Sequence, residues 1–306
     1  MEQVHLHPVS GRRLFWTIVL NSIITLAEFV AGTISGYLAL TADAVHNLSD
    51  VAALILAWLG VKGSQLPATK RSTYGYKRIE VMTAFISAVA LVVIALFIIW
   101  AAYRRYLNPV PITHPGLFLT VAAIGLVGNL SSVILLHREK DKSLNLKTAF
   151  LHMAYDTLSS VVVLIGGVLI LYTGWVMIDT ILSAAIALMI FWSSYLVIKE
   201  AVAILMEATP AAVGFDNVHK VIDAIPTVKG VHDLHIWSLS SYEIALSCHV
   251  CVDRTDVSHG PGIVAEINRL MREKFGIGHC TVQIECEECG RSSLLCGFNG
   301  ELSKQP

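Results

Sequence analysis

Six long apolar runs decide what this chain can become. They fall at about residues 14–36, 37–61, 79–103, 116–137, 146–173 and 175–198. Each is close to the roughly 20 residues that a helix needs to cross a bilayer's hydrocarbon core. In that medium every backbone N–H and C=O must find its partner within the protein, so continuous apolar runs of this length select helices. A 55% hydrophobic share with 15% charged residues agrees, as does a mean hydropathy of +0.64. The expected fold is a polytopic α-helical membrane protein with six transmembrane helices. The first run follows Arg12 and Arg13 in the manner of a signal peptide. Its length, the presence of Glu28 and the immediate start of a second run exclude that reading. Gly36 and Gly174 mark tight hairpins between runs 1 and 2 and runs 5 and 6.

Loop charge orients the helices. Lys62, Lys70, Arg71, Lys77 and Arg78 lie between runs 2 and 3, and Arg138, Lys140 and Lys142 between runs 4 and 5, with Lys147 at the start of run 5. The 1–2 and 5–6 turns carry no Lys or Arg. The excess of positive charge marks the cytoplasmic side, so both termini are expected there. Arg104 and Arg105, between runs 3 and 4, are the exception.

Two motifs inside the runs demand chemistry. His46 and Asp50 are four residues apart, as are His152 and Asp156. On a helix that spacing places both side chains on one face, about 6 Å apart along the axis. An ionised group at the centre of a bilayer costs at least about 2.5–3.5 kcal/mol. Two imidazoles and two carboxylates form a donor set suited to tetrahedral Zn²⁺ and cancel its charge. Runs 2 and 5 are antiparallel in the expected topology, which lets the four ligands converge. His152 lies near the start of its run, so helix 5 is expected to begin earlier, or enter deeper, than hydropathy indicates. Asp43, one turn before His46, reads either as a metal-admitting or proton-relay group or as a structural cap. Glu28, Asn21, Asn129 and Asp179 read mainly as packing or cavity-lining groups.

Beyond about residue 206 the composition changes. Residues 216–225 and 261–275 have helical periodicity, whereas 231–239, 242–253 and 279–286 alternate like strands. The order α-β-β-α-β predicts a small α+β domain with helices on one sheet face. All six cysteines lie at or after Cys248 and outside the apolar runs, which reads as reduced cytosolic thiols rather than a disulfide framework. Alternation puts His249 and Cys251 on one strand face and Cys248 on the other. Cys286-x-x-Cys289 has thiolate-ligand spacing but lacks a matching second pair. The expected division is a cytosolic tail over 1–13, a six-helix membrane domain over 14–206, a cytosolic domain over 207–290 and a tail over 291–306.

Five segments carry a resemblance. They are Ala42-Asp43-Ala44 leading to His46-x-x-x-Asp50, Tyr74-Gly75-Tyr76-Lys77-Arg78-Ile79-Glu80, His152-x-x-x-Asp156, Leu205-Met206-Glu207-Ala208-Thr209-Pro210, and Val231-His232-Asp233-Leu234-His235-Ile236-Trp237. With them the sequence resembles the cation diffusion facilitator family of zinc transporters, especially its bacterial zinc-type members, from about residue 14 to 286. The resemblance implies a homodimer of six-span chains with a ferredoxin-like cytosolic domain, exchanging cytosolic divalent metal for protons. It further implies metal ligation by His232, His249 and Glu285, and pairing of Glu207 with Lys77, or with Arg78, to hold the dimer or the domain hinge. The 4–5 loop has no histidine-rich tract and the 2–3 loop no His or Asp, so no additional loop metal site is expected.

These readings converge on a proton-coupled efflux antiporter in the inner (plasma) membrane. Zn²⁺ is the expected cargo, Cd²⁺ and Co²⁺ are further candidates, and Zn²⁺ is also a cytosolic-domain ligand. With metal bound the histidines are neutral and the aspartates ionised. Once it leaves, desolvation favours protonation of the emptied site. Neither an organic cofactor nor a nucleic-acid partner is expected at a net charge of −1. An intramembrane metalloenzyme would need an open coordination position and a general base, and no His-Glu-x-x-His occurs. A metal sensor using the cytosolic cluster alone would leave the membrane pairs unexplained.

Overall fold

The computed structural model describes residues 11–137, 144–253 and 259–286, without the side chains at 11–21, 53–54, 57–58, 132, 135–136, 144–149 and 151–152. His5, His7, Arg138, Lys140, Lys142, Cys289 and the tail over 291–306 therefore lie outside the described residues, as do the side chains of Asn21, Lys147 and His152. The first six helices are α1 (Gly11–Ser35), α2 (Leu38–Ser64), α3 (Arg78–Leu107), α4 (Pro115–His137), α5 (Leu144–Thr173) and α6 (Met177–Leu205). Each coincides with one apolar run. α5 starts two residues ahead of its run, so His152 falls two turns inside it. Within the described residues, Arg78–Leu107, Met153–Thr173 and Met177–Leu205 are long and apolar enough to cross a membrane, and Ser22–Ser35 and Pro115–Ser131 are shorter apolar stretches.

The chain divides into two compact units, residues 1–56 with 86–197 and residues 57–85 with 198–306. The first has its apolar surface turned outward. Val93, Phe97 and Trp192 are all more than 60% exposed, as lipid-facing helices require. Its interior is built around Tyr37, Leu40, Phe118, Val163 and Ile190. The Tyr37 hydroxyl donates to the Val163 carbonyl, and its ring packs on Phe118 with centroids 4.7 Å apart.

The α1–α2 hairpin turns at Gly36, whose φ of +69° belongs to the left-handed region. The Tyr37 N–H donates to the Gly32 carbonyl and the Gly36 N–H to Thr33, which closes α1 as a Schellman cap. Asp179, from α6, then starts α2. Its two oxygens accept the backbone N–H groups of Leu38 at 3.1 Å and Ala39 at 2.7 Å. Arg105 Nη1 is 2.7 Å from Asp179 Oδ2, and Arg105 Nη2 donates to the Gly36 carbonyl. Asp179 is thus a helix cap and an ion-pair partner rather than a cavity-lining residue. Arg105, one of the two exceptions to the loop-charge pattern, is largely enclosed in that pair, its side chain 11% exposed.

The second unit contains α7 (Phe215–Asp223), β1 (Val228–Ser238), β2 (Ile244–Val252), α8 (Gly260–Phe275) and β3 (His279–Glu285). This is the expected α-β-β-α-β order and the expected ferredoxin-like class. β1 pairs antiparallel with β2, and β2 parallel with β3 across the α8 crossover. Val218 and Ile222 of α7, and Ile263, Ile267 and Met271 of α8, form buried stripes at four-residue spacing. They pack with Val231, Leu234, Ile236, Leu246, Val250 and Val252 from the sheet. Burial of each such side chain contributes about 1.5–3 kcal/mol.

β1 carries a register shift between His232, opposite His249, and His235, opposite Ser247. Asp233 sits at the shift with φ +50°. The extra residue is a β-bulge, and it reverses the alternation. Val231 points inward before it, Leu234 and Ile236 after it. Without the bulge a strict period of two would send Asp233 and His235 into the core.

Because Asp179 is wholly buried, removing its cation leaves a buried charge without compensation. Arg105→Met is expected to destabilise the detergent-solubilised protein by about 3–5 kcal/mol, read as a lowered thermal midpoint. Arg105→Met combined with Asp179→Asn should recover part of the loss.

Candidate metal sites

α2 and α5 bring three of the four expected membrane ligands together. His46 Nε2 lies 3.6 Å from Asp50 Oδ2 and 3.7 Å from Asp156 Oδ1. Donor atoms of all three fall within 4.8 Å of one another, the spread of ligands around one ion. His46 and Asp50 are adjacent because four residues make about one helical turn. Asp156 reaches them from α5. The three side chains are 11%, 25% and 15% exposed. His46 Nδ1 is buried without a hydrogen-bond partner among the described residues. His152 precedes Asp156 by one turn of α5, and its side chain lies outside the described set.

Asp43 is beside this cluster and fully buried. Ser159 donates to Asp43 Oδ1 at 2.6 Å, and Ser160 Oγ lies 3.3 Å from Asp43 Oδ2. Ser160 Oγ is also 3.1 Å from the Asp156 carbonyl and accepts from Asn129 Nδ2 at 3.0 Å. Asn129 thus belongs to a polar chain across α4, α5 and α2.

The second cluster sits on the sheet face opposite the helices. His249 Nδ1 is 2.8 Å from Glu285 Oε1, and His232 Nε2 is 3.4 Å from Glu285 Oε2. The two imidazoles meet edge to face with centroids 5.1 Å apart. Strand register accounts for this. His232 is directly opposite His249, and Glu285 of β3 is opposite Cys251, two residues along β2. Cys251 Sγ approaches His232 Nδ1 at 3.7 Å. The bulge adds a residue that alternation could not place. Asp233 Oδ1 is 3.1 Å from His235 Nε2, and its Oδ2 is 3.7 Å from His249 Nε2.

The thiols divide as the alternation predicts. Cys248 faces the core, and burial pushes its thiol up to about 12. At neutral pH it is protonated and a poor ligand. Cys280 is raised by burial as well. Cys286 is exposed just past β3; its expected partner Cys289 lies outside the described residues.

One expected pair is corrected. Lys77 does not meet Glu207. Arg78 Nη2 does, at 2.7 Å, and Lys77 Nζ is 2.7 Å from Glu243 Oε1. Arg78 is the first residue of α3, whereas Lys77 belongs to the preceding turn, so the neighbours project differently. Glu207 itself adopts φ +58° at the Schellman cap of α6, where the Glu207 N–H donates to Ile204 and the Ala208 N–H to Ala203. Both pairs are partly exposed and each is worth at most about 1 kcal/mol.

Comparison with known proteins places these features. The cation efflux transmembrane domain matches residues 14–206, and the cation efflux protein cytoplasmic domain matches 210–287. The chain is 36% identical over 296 residues to the metal cation efflux system protein CzcD of Cupriavidus metallidurans, covering 96% of this chain and 93% of the relative. It is 34% identical over 296 residues to the zinc transporter ZitB of Shigella flexneri, with the same coverage. It is 35% identical over 275 residues to a cadmium, cobalt and zinc/H⁺-K⁺ antiporter of Bacillus subtilis, covering 89% of this chain and 88% of the relative.

If the sheet-face cluster binds metal, the triple variant His232→Ala, His249→Ala, Glu285→Ala of the full chain should hold about one zinc fewer per chain at equilibrium dialysis. An unchanged count would assign that zinc to other residues.

Proposed function

The chain belongs to the cation efflux, or cation diffusion facilitator, family of membrane transporters, and from that premise we propose that it exports cytosolic zinc across the inner (plasma) membrane in exchange for protons. One observation carries this reading, the convergence of His46, Asp50 and Asp156 within 4.8 Å inside the membrane unit. The repeated His-x-x-x-Asp motif of the sequence offers His152 as the fourth ligand. Two histidines and two carboxylates suit zinc in number, geometry and charge. Cadmium and cobalt, named for the Bacillus relative, are further cargo that the same donors accept. That relative's name also supports proton exchange.

Coupling follows from competition for the same atoms. Zinc takes neutral imidazole and ionised carboxylate, so it displaces protons on binding from the cytosol. When the site opens outward and zinc departs, bare carboxylates in a low-dielectric surrounding favour taking up protons. Return of the protonated site completes the cycle. Rocking of helices about a fixed site gives access to each side in turn.

The cytosolic cluster of His232, His249 and Glu285 is read as a regulatory zinc site in a homodimer, with both termini in the cytoplasm. Binding there biases transport only through different affinities for the inward- and outward-facing forms. Chemistry on a bound substrate is disfavoured, because four protein donors fill the zinc coordination sphere. The family is one of transporters rather than enzymes.

The test removes one ligand at a time. Asp50→Ala or Asp156→Ala deletes a donor and half of the compensating charge. Zinc flux into everted vesicles should fall at least about 100-fold, more than loss of an outer-shell partner usually costs, at matched expression and unchanged assembly. Flux near wild type in either variant would refute the assignment.

A further inference from the structure

Asp43 is not needed as a zinc ligand, yet it is placed as carefully as one. It is 1% exposed in the middle of a membrane unit. Among the described residues, the titratable groups acting on it are His46 on its own helix and Asp156 on α5, and it acts in turn on Tyr37 at the α1–α2 turn and on Glu28 of α1, which is also 1% exposed. None of these is a permanent cation. Among its described side chains, α4 contributes the neutral Asn129, through Ser160.

Hydrogen counting shows what the arrangement can hold. A serine hydroxyl has one hydrogen to donate and can accept two. Ser160 Oγ has three neighbours, Asn129 Nδ2, Asp43 Oδ2 and the Asp156 carbonyl. Asn129 donates to it. If the Ser160 hydrogen goes to the Asp156 carbonyl, the Asp43 contact is satisfied only by a proton on Asp43 Oδ2, donated to Ser160. If Asp43 is ionised, the Ser160 hydrogen turns to Oδ2 and leaves the carbonyl. Ser159 donates to Oδ1 in both cases. The network therefore accommodates a protonated and an ionised Asp43 by rotating one hydroxyl, with no heavy atom displaced.

We propose that Asp43 is a proton-carrying site separate from the zinc ligands, loaded when zinc has left the membrane site and emptied when zinc returns. The proposal rests on the zinc-site reading above. A vacated site leaves Asp50 and Asp156 as neighbouring carboxylates, which disfavours a further negative charge on Asp43. Bound Zn²⁺ cancels those charges and favours ionisation. The proton comes from water on the outward side and goes to water on the cytosolic side. The Ser160 hydroxyl ends each half-cycle with its own hydrogen, so it reports the state of Asp43 to α5 at the carbonyl of Asp156 without being consumed.

Counting protons tests this without transport. Full-length protein in detergent is titrated with zinc in weakly buffered solution containing a pH indicator, and bound zinc is measured separately. Asp43→Asn keeps a hydrogen-bond donor toward Ser160 and holds no exchangeable charge. It should release about one proton fewer per bound zinc than wild type. A merely structural role would weaken zinc binding and leave protons per bound zinc unchanged, and that result overturns the proposal. Ser160→Ala supplies a second reading should the Asn variant fail to assemble. It keeps the carboxyl but removes a donor to its ionised form, so the pH range of that release should move upward; an unmoved range also overturns the proposal. Failure of the zinc-site reading looks different, because Asp156→Ala would then bind as much zinc as wild type.

Discussion

A carboxylate inside a membrane helix must be given a reason to stay, and this molecule is arranged around that requirement. Its first unit contains several, and each is accommodated differently. Asp179 receives the guanidinium of Arg105 and two N–H groups at the start of α2, which makes it a structural charge paired for good. Among the described residues Asp43 receives hydroxyl donors alone, which suits a group that gains and loses a proton. Asp50 and Asp156 stand 3.6 and 3.7 Å from His46, which gathers three donors around one proposed metal position. The same desolvation cost therefore yields an anchor, a proposed proton site and a proposed metal site, according to the partner each carboxylate is given.

The second unit solves a different problem. A three-stranded sheet needs one face covered, and the four-residue stripes of α7 and α8 cover it. The other face is free for polar residues, and direct opposition of His232 to His249 concentrates them. The bulge at Asp233 lets β1 keep Leu234 and Ile236 in the core while a further carboxylate turns toward His249 and His235.

Much of this was legible in the sequence, for physical reasons. Bilayer thickness sets the length of an apolar run, so the six helices could be located from hydropathy, although α3, α5 and α6 extend beyond their runs. The four-residue spacing of His46 and Asp50 is a local property of any helix. The meeting of Asp156 with them required only that α2 and α5 be neighbours. Alternation separated Cys248 from His249 and Cys251. What escaped was non-local or broke the period. Nothing in the sequence ties Arg105 to Asp179, which lie 74 residues apart. The bulge at Asp233 interrupts the alternation on which strand reading depends, although a polar Asp between His232 and Leu234 is a weak signal for it. Lys77 and Arg78 are adjacent cations, and only the start of α3 decides which of them meets Glu207.

The central claim is that zinc and protons compete for His46, Asp50 and Asp156 from opposite sides of the membrane. Zinc uptake into proteoliposomes tests it most directly, with the external pH fixed, the membrane potential clamped and the lumenal pH varied. Molecules whose cytosolic face is outward should take up zinc faster as the lumen is made more acidic, because protons supplied there reload the emptied site. Uptake that ignores lumenal pH would contradict proton exchange, even if the metal ligands prove correct.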